Sequence, residues 1–289
     1  MVPRLDEDTT QGCMFRMGPK ITLPFLTLES VKGCHIKIRA SDFYMKVVLS
    51  LTSVPPRFDK LEEVLRPLLV QTCHEIWLNI PPKYRRFPEW DGRVPGNLFK
   101  FDPKIHVNLD CEDFGPGTKF LGPAKHLDPE DLIVYLDDDT VYDSRLVTNL
   151  LKWFRTDPKS AWGLSGFNFE TYFKGQFPRQ HGQPVDVLEG YGSVIVKAGW
   201  VQKVEAEYRE LLDVTGNDDM LLSNLFEKHG IKRRTIWTQD CHLGHVQQLD
   251  YGFGPDALHH AWGGHIQNNL KIIRGLEDKG KNYFGYKCL

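Results

Sequence analysis

The sequence carries no excess of charge of either sign. Its 36 Lys and Arg stand against 38 Asp and Glu, a formal net charge of −2 over 289 residues. A chain built to coat nucleic acid is normally basic, so no nucleic-acid partner is expected. Long hydrophobic runs are missing as well. No stretch approaches the ~20 apolar residues that span a bilayer, so no transmembrane segment is expected. The opening MVPRLDEDTT is acidic and polar, with no apolar h-region behind it and no sign of a secretory leader. Cysteine is sparse: Cys13, Cys34, Cys73, Cys111, Cys241 and Cys288 are scattered and form no CxxC pair. That disfavours a zinc knuckle or a disulfide framework, and makes reduced thiols in the cytoplasm the expected state. Internal repeats and low-complexity tracts are also absent. With 41% hydrophobic and 26% charged residues, the composition excludes wholesale disorder.

What is present is a rich aromatic supply and a clear alternation of strand and helix. Residues 1–44 show no strong period and read as an N-terminal extension with one short hairpin, Ile21–Leu28 with His35–Ile38. From residue 45 the pattern sharpens into a domain running to residue 289. Val47–Leu51 is a continuous apolar run, as in a strand buried on both faces of a parallel sheet. Pro55-Pro56 ends it, and Asp59 is placed to cap a helix carrying Leu61, Val64, Leu65, Leu68 and Leu69. Ile76–Ile80, Ile105–Leu109 and Leu132–Leu136 read as strands two to four. A long Arg-, Pro- and aromatic-rich loop spans 83–103, and a helix Thr118–His126. Beyond lie helices at Ser144–Arg155, Gly199–Leu212 and Asn217–His229. Strands are expected over Trp162–Phe167, within Val187–Val196 and over Arg234–Trp237. Residues 239–289 read as mostly loop, with one helix around Ala257–Ile273. The fold class is therefore α/β, a mostly parallel central sheet flanked by helices. Such sheets bind ligands outside the carboxyl ends of their strands.

Three polar stretches fall at such positions. Asp137-Asp138-Asp139 follows directly on strand four. Adjacent like charges are costly unless a cation neutralises them, and oxygen ligands suit Mg²⁺ or Mn²⁺. Asp113-Phe-Gly-Pro-Gly-Thr-Lys119 follows strand three; its glycines allow close backbone approach and Lys119 offers a point charge to a ribose, base or phosphate. Asp218-Asp219 opens a helix, where carboxylates serve as caps or as a general base.

Together with Ser50-Leu-Thr-Ser-Val-Pro-Pro-Arg57 and Leu68-Leu-Val-Gln-Thr72, these stretches occur in an order that resembles a glycosyltransferase of the GT-A fold, similar to family 2 and to the short enzymes of large algal (chlorella) viruses. The likeness covers about Lys46 to Trp237. It implies a nucleotide-binding half over about 45–140 and an acceptor-binding half over about 141–289. Asp137 and Asp139 match the outer positions of a DXD motif, the first on the ribose and the last on the metal, with Asp138 able to share either role. Thr52 and Arg57 match the nucleotide-binding loop, and Asp113 and Lys119 the grip on base and ribose. Asp218-Asp219 matches the acidic pair carrying the base, with Asp219 favoured. Glu189, Gly190 and Tyr191 fall where the sugar subsite is lined. A late His completes the metal shell in such enzymes; among His242, His245, His259, His260 and His265 the choice is His245. The implied activity is metal-dependent transfer, with inversion, from a nucleotide-sugar donor (UDP-sugar favoured) to a hydroxyl of a glycan or glycoprotein acceptor. Trp237, Trp262 and Tyr251 are core residues or an acceptor platform.

Two other readings remain open. Asp137-x-Asp139-x-Val141 satisfies the nucleophile motif of haloacid dehalogenase-type phosphatases, although that family places it after its first core strand. A catalytically inactive carbohydrate-binding protein of the same fold is the other.

Overall fold

The structure, a computed structural model, describes residues 45–174, 182–236, 245–253 and 265–286, with backbone alone at 245, 246, 253, 265 and 266. The N-terminal hairpin expected at 21–38 lies outside them, as do Trp237, Trp262, His242, His259, His260 and four of the cysteines. The other two, Cys73 and Cys111, are free and buried. Among the described residues, no helix is long and apolar enough to cross a membrane.

The first half alternates as its apolar pattern predicts: β1 (Val47–Thr52), α1 (Leu61–Leu68), β2 (Glu75–Asn79), β3 (Ile105–Asn108), α2 (Thr118–Ala124) and β4 (Leu132–Tyr135). There follow β5 (Thr140–Tyr142), α3 (Leu146–Phe154), β6 (Ser160–Gly163), β7 (Gly166–Phe167) and α4 (Phe169–Tyr172). The remainder comprises β8 (Gln183–Pro184), β9 (Val187–Leu188), β10 (Val194–Lys197), α5 (Ala198–Leu211), α6 (Asp218–Lys228), β11 (Lys232–Thr235), β12 (His245–Gln248) and α7 (His265–Asp278). The central sheet runs β3-β2-β1-β4-β10-β6-β11-β8. Its β3-β2-β1-β4 part is parallel, while β10 runs antiparallel to both neighbours. The runs read as continuously apolar are buried on both faces: Val47, Val48, Leu49 and Ile133, Val134 have no exposed surface.

Topology decides which segments meet. Ser50 on β1 lies opposite Tyr135 on β4, so the two strands end side by side. Val194 on β10 also pairs with Tyr135, but from the opposite direction. The residues leaving β1 and β4 and those entering β10 therefore converge on one sheet edge.

Several local expectations are corrected. Asp59 does not cap α1. Pro55-Pro56 start a tighter 3₁₀ turn, Pro55–Lys60, which absorbs Asp59 and leaves Lys60 at the cap position without a side-chain bond. The strand expected over Trp162–Phe167 is broken into β6 and β7, because Leu164 N–H turns to the Ser193 carbonyl and Ser165 leaves the ladder. The strand expected over Arg234–Trp237 begins two residues earlier, at Lys232. Its second residue, Arg233, is buried although charged, since the Val185 and Ser223 carbonyls accept its guanidinium protons. β5 and β12 form a two-stranded ribbon where the composition reads as loop. Helix α7 continues past Ile273 to Asp278 because Leu276 packs inward with Ile272 and Ile273.

A buried polar ladder ties α2 to the parallel strands. The Asn79 amide donates to Ser50 Oγ (2.8 Å) and to the Leu51 carbonyl (2.9 Å). Asn108 donates to Asn79 Oδ1 (2.9 Å) and to the Gly122 carbonyl (3.2 Å), and Ser50 Oγ donates to the Lys119 carbonyl. These groups have no water to fall back on, so each bond must be made within the protein. Replacing Asn79 by Leu leaves buried donors and acceptors unmet, at ~1–3 kcal/mol for each orphaned group. Urea unfolding of Asn79→Leu is expected to show a loss of about 3 kcal/mol. A loss below about 0.5 kcal/mol would contradict the ladder's role.

Candidate functional site

Among the described residues, five aspartates and two cations occupy the converging edge. Asp138 is buried at the end of β4; Ser53 Oγ donates to its Oδ2 and the Arg57 guanidinium to its Oδ1 at 2.6 Å. The same guanidinium nitrogen reaches Asp139 Oδ2 at 3.2 Å. Lys119 is 3% exposed, and its Nζ lies 2.6 Å from Asp137 Oδ1 and 2.9 Å from Asp218 Oδ2. Asp218 and Asp219 form the first turn of α6, which Asn217 caps by accepting from Met220 N–H at 3.0 Å. Asp219 is half-buried, and its Oδ1 accepts the Gly190 N–H at 2.9 Å.

The Gly190–Gly192 turn that supplies this N–H closes on Ser193, which is buried at φ +74°, a left-handed conformation costly for a residue with a Cβ. Ser193 N–H donates back to the Gly190 carbonyl at 2.8 Å and fixes the turn. Beside it, Ser165 Oγ donates to Glu189 Oε2 (2.6 Å) and lies 3.0 Å from the Tyr191 hydroxyl. Tyr142 links the turn to the first cluster: its hydroxyl accepts from Asp137 N–H (3.0 Å) and donates to the Tyr191 carbonyl (3.1 Å).

A segment from the C-terminal part lies over the first cluster. Leu249 N–H donates to the Asp139 carbonyl at 2.7 Å, and the Tyr251 hydroxyl to the Asp138 carbonyl at 2.8 Å. Arg57 and Lys60 sit over the Tyr251 ring, 5.6 and 5.0 Å from its centroid. Gly252 is pressed so closely on Asp139 that a Cβ there would lie 2.9 Å from the carboxyl carbon.

Two cations do not neutralise this many carboxylates. Burial, followed by the charges of Asp137 and Asp138, raises Asp139 to about 7. Burial also raises Asp138 against the pull of Arg57, and Asp218 against the pull of Lys119. Burial together with neighbouring Asp218 lifts Asp219 well above the ordinary carboxylate range. Burial works against the Lys119 ammonium, but Asp137, Asp218 and Asp219 outweigh it and hold the group charged. Among the described residues the edge is short of positive charge.

Among the described residues no three His, Cys, Asp or Glu side chains form a ready-made metal cage. Asp137 and Asp139 supply carboxylate oxygens, the donor type of a hard divalent cation, which typically takes one or two carboxylates and leaves other positions to phosphate oxygens or water. The backbone of His245 pairs with Tyr142 in the β12–β5 ribbon; its side chain lies outside the described residues.

The edge thus gathers Asp137, Asp138, Asp139, Asp218, Asp219, Lys119, Arg57, Glu189, Gly190 and Tyr191 from the sequence reading. Two residues sit differently. Thr52 Oγ1 donates to the Asn79 carbonyl at 2.8 Å, within the sheet. Asp113 is engaged in its own loop, accepting from Arg85 N–H (2.6 Å) and Gly115 N–H (2.8 Å). The sequence reading missed Ser53 as the partner of Asp138, and missed Ser165, Tyr142, Leu249 and Gly252 entirely. Their roles depend on chain crossings that carry no linear signal.

No family model and no curated protein matches the chain. Among solved structures it is similar to a mannosyltransferase from Pyrobaculum calidifontis in complex with GDP-Man and Mn2+, with TM-score 0.48 and 15% identity over 82% of this chain and 65% of that one. It is similar to GalNAc-T7 with UDP, GalNAc and Mn2+, with TM-score 0.49 and 12% identity over 83% of this chain and 50% of that one. A third is 4-diphosphocytidyl-2C-methyl-D-erythritol synthase, with TM-score 0.41 and 11% identity over 71% and 94%. The chain spans just under two thirds of the mannosyltransferase and half of GalNAc-T7. Function must therefore be argued from the chain's own residues.

Arg57 is the group that makes a buried Asp138 tolerable. Removing one partner of a buried pair typically costs ~3–5 kcal/mol, because the other charge is left uncompensated. Arg57→Met is expected to lower unfolding stability by about 3 kcal/mol in a denaturant titration. Wild-type stability in that variant would show that Asp138 does not depend on the pair.

Proposed function

We propose that the chain is a metal-dependent glycosyltransferase of the GT-A type. It moves a sugar from a nucleoside-diphosphate sugar, UDP-sugar favoured, to a hydroxyl of a glycan or glycoprotein, with inversion. The supporting observation is the pairing of two unlike acidic clusters through one lysine. The strand-end cluster is rich in oxygen ligands and short of positive charge, as a site for a divalent cation and a diphosphate must be. The helix-start pair offers one carboxylate clamped by Lys119 and one that accepts a backbone N–H. On this reading residues 45–140 form the donor half and 141–289 the acceptor half. The free, buried thiols Cys73 and Cys111 agree with work in the cytoplasm.

Asp137 and Asp139 would hold Mn²⁺ or Mg²⁺, with His245 as the third ligand. Bound there, the cation supplies neutralisation of the negative charge that builds on the leaving diphosphate. Thr52, Arg57 and Asp113 belong to the nucleotide side, and Glu189, Gly190 and Tyr191 to the sugar side. The acceptor oxygen forms a bond to the anomeric carbon on the face opposite the diphosphate. The carbon–oxygen bond to the diphosphate breaks, and its electron pair stays with the phosphate oxygen. Asp219 takes the proton of the acceptor hydroxyl, a role worth roughly 10²–10⁴-fold. Of the two helix-start carboxylates Asp219 suits this role. It is half-buried and its Oδ1 accepts one backbone N–H, whereas Asp218 is buried against the Lys119 ammonium. A carboxylate raised by burial is also the stronger base once ionised.

Two outcomes follow. Asp139→Ala is expected to lose nearly all Mn²⁺-dependent transfer while melting as the wild type does; full turnover by that variant in excess chelator would remove the metal site. Asp219→Asn is expected to cut kcat by at least about 100-fold and leave donor KM nearly unchanged, with Asp218→Asn milder. An inactive Asp218→Asn beside an Asp219→Asn that still turns over would move the base by one residue. NMR showing the donor's anomeric configuration retained in the product would end the inverting mechanism.

A further inference from the structure

The sequence reading gave Lys119 to the nucleotide, as a charge for a ribose, base or phosphate. Its surroundings leave no room for that. An ammonium has three protons to donate. Asp137 takes one side at 2.6 Å and Asp218 another at 2.9 Å. The Tyr135 ring lies beneath, 5.6 Å from Nζ to centroid. The remaining side is closed by the backbone of Gly190, so near that a Cβ on that residue would stand 2.6 Å from Nζ and 3.0 Å from Asp219 Oδ1. Only 3% of Lys119 is exposed.

The same lysine is anchored from behind. Its carbonyl accepts the Ser50 hydroxyl, within the buried ladder that joins β1, β2 and β3 to α2. Gly190, on its open side, is the residue whose N–H holds Asp219. Through one side chain, strand β4, helix α2, the turn before β10 and helix α6 are held at fixed spacing.

We propose that Lys119 is a positioning residue. Its ammonium joins Asp137, at the donor cluster, to Asp218 on α6, and so sets where Asp219 stands relative to the donor's reacting carbon without touching the donor. Gly190 is the second part of the device, because only a residue without a side chain lets Nζ and the Asp219 carboxylate lie so close. The role rests on the glycosyltransferase reading; the bridge itself does not. Misplacing a catalytic group by about 1 Å costs on the order of 10²-fold in rate, so the strut acts on kcat rather than on donor affinity.

Four variants test this: Lys119→Met, Asp218→Asn, the double variant, and Gly190→Ala, which keeps the lysine but crowds it. Melting temperatures of the first three form a double-mutant cycle. The double variant removes one charge of each sign, so it is expected to melt above Lys119→Met. Strictly additive losses would overturn the bridge, whatever the enzyme's activity. Calorimetry with Mn²⁺ and UDP, and separately GDP, is expected to give the double variant an affinity within threefold of wild type. A tenfold loss would make Lys119 a donor ligand and overturn the proposal. On whichever nucleotide-sugar the wild type turns over, the double variant is expected to lose about 100-fold or more in kcat with donor KM within threefold, and Gly190→Ala to lose about 100-fold or more in kcat. A kcat within threefold of wild type would show that the strut does not position the base. A wild-type chain that turns over no nucleotide-sugar would sink the glycosyltransferase reading and the base-positioning role with it, leaving the melting cycle to judge the bridge alone.

Discussion

Like charges held together and partly withdrawn from water are the constraint on which the rest of this structure depends. Asp137, Asp138, Asp139, Asp218 and Asp219 are brought to one sheet edge, and a low-dielectric setting makes their mutual repulsion severe. Arg57 and Lys119 relieve it in part, each bridging two carboxylates. Burial first, and then the neighbouring carboxylates, still raise Asp139 and Asp219. Such an arrangement destabilises the folded chain, and a protein retains it where the unsatisfied charge has a use. A divalent cation carried by a diphosphate is one such use, and proton uptake by a carboxylate is another.

The sheet is what makes the clustering unavoidable. β1 and β4 run parallel and end together, and β10 enters from the reverse direction against the same residue of β4. Loops from three distant parts of the sequence must then share one small volume. Rigidity beneath comes from the asparagine ladder, and above from Leu249, Tyr251 and Gly252, which fasten the backbone and carboxylate of the first cluster. The site therefore stands on strands and helix termini rather than on free loops, which favours fixed geometry.

Much of this was legible in the sequence, for identifiable reasons. Strands buried on both faces read as unbroken apolar runs, so β1, β2, β3 and β4 were found within a residue or two. Helix α6 announced itself by Asn217 followed by an apolar set at helical spacing. Carboxylates directly after a buried strand read as chemistry because position, not composition, makes them costly. The illegible parts share a cause, in that their structure depends on partners far away in the chain. Arg233 disguised β11 because a buried arginine looks like surface until the carbonyls that receive it are known. β5 and β12 are too short to show a period and exist only as a pair. Nothing in the local sequence of Lys119 reveals that Gly190 and Asp218 close over it. Asp113 enters the nucleotide side through the family resemblance alone, and the loop bonds that hold its carboxylate, from Arg85 and Gly115, carry no local signal.

Two carboxylates without a complete cage should bind a divalent cation weakly alone and well when phosphate oxygens complete its shell. The most direct measurement of the account is therefore Mn²⁺ binding by calorimetry, with and without UDP or GDP. Tightening of Mn²⁺ binding by at least about tenfold in the presence of one nucleoside diphosphate, lost in Asp139→Ala, is the predicted result. Mn²⁺ binding that neither nucleotide strengthens, or that survives the loss of Asp139, would contradict the account.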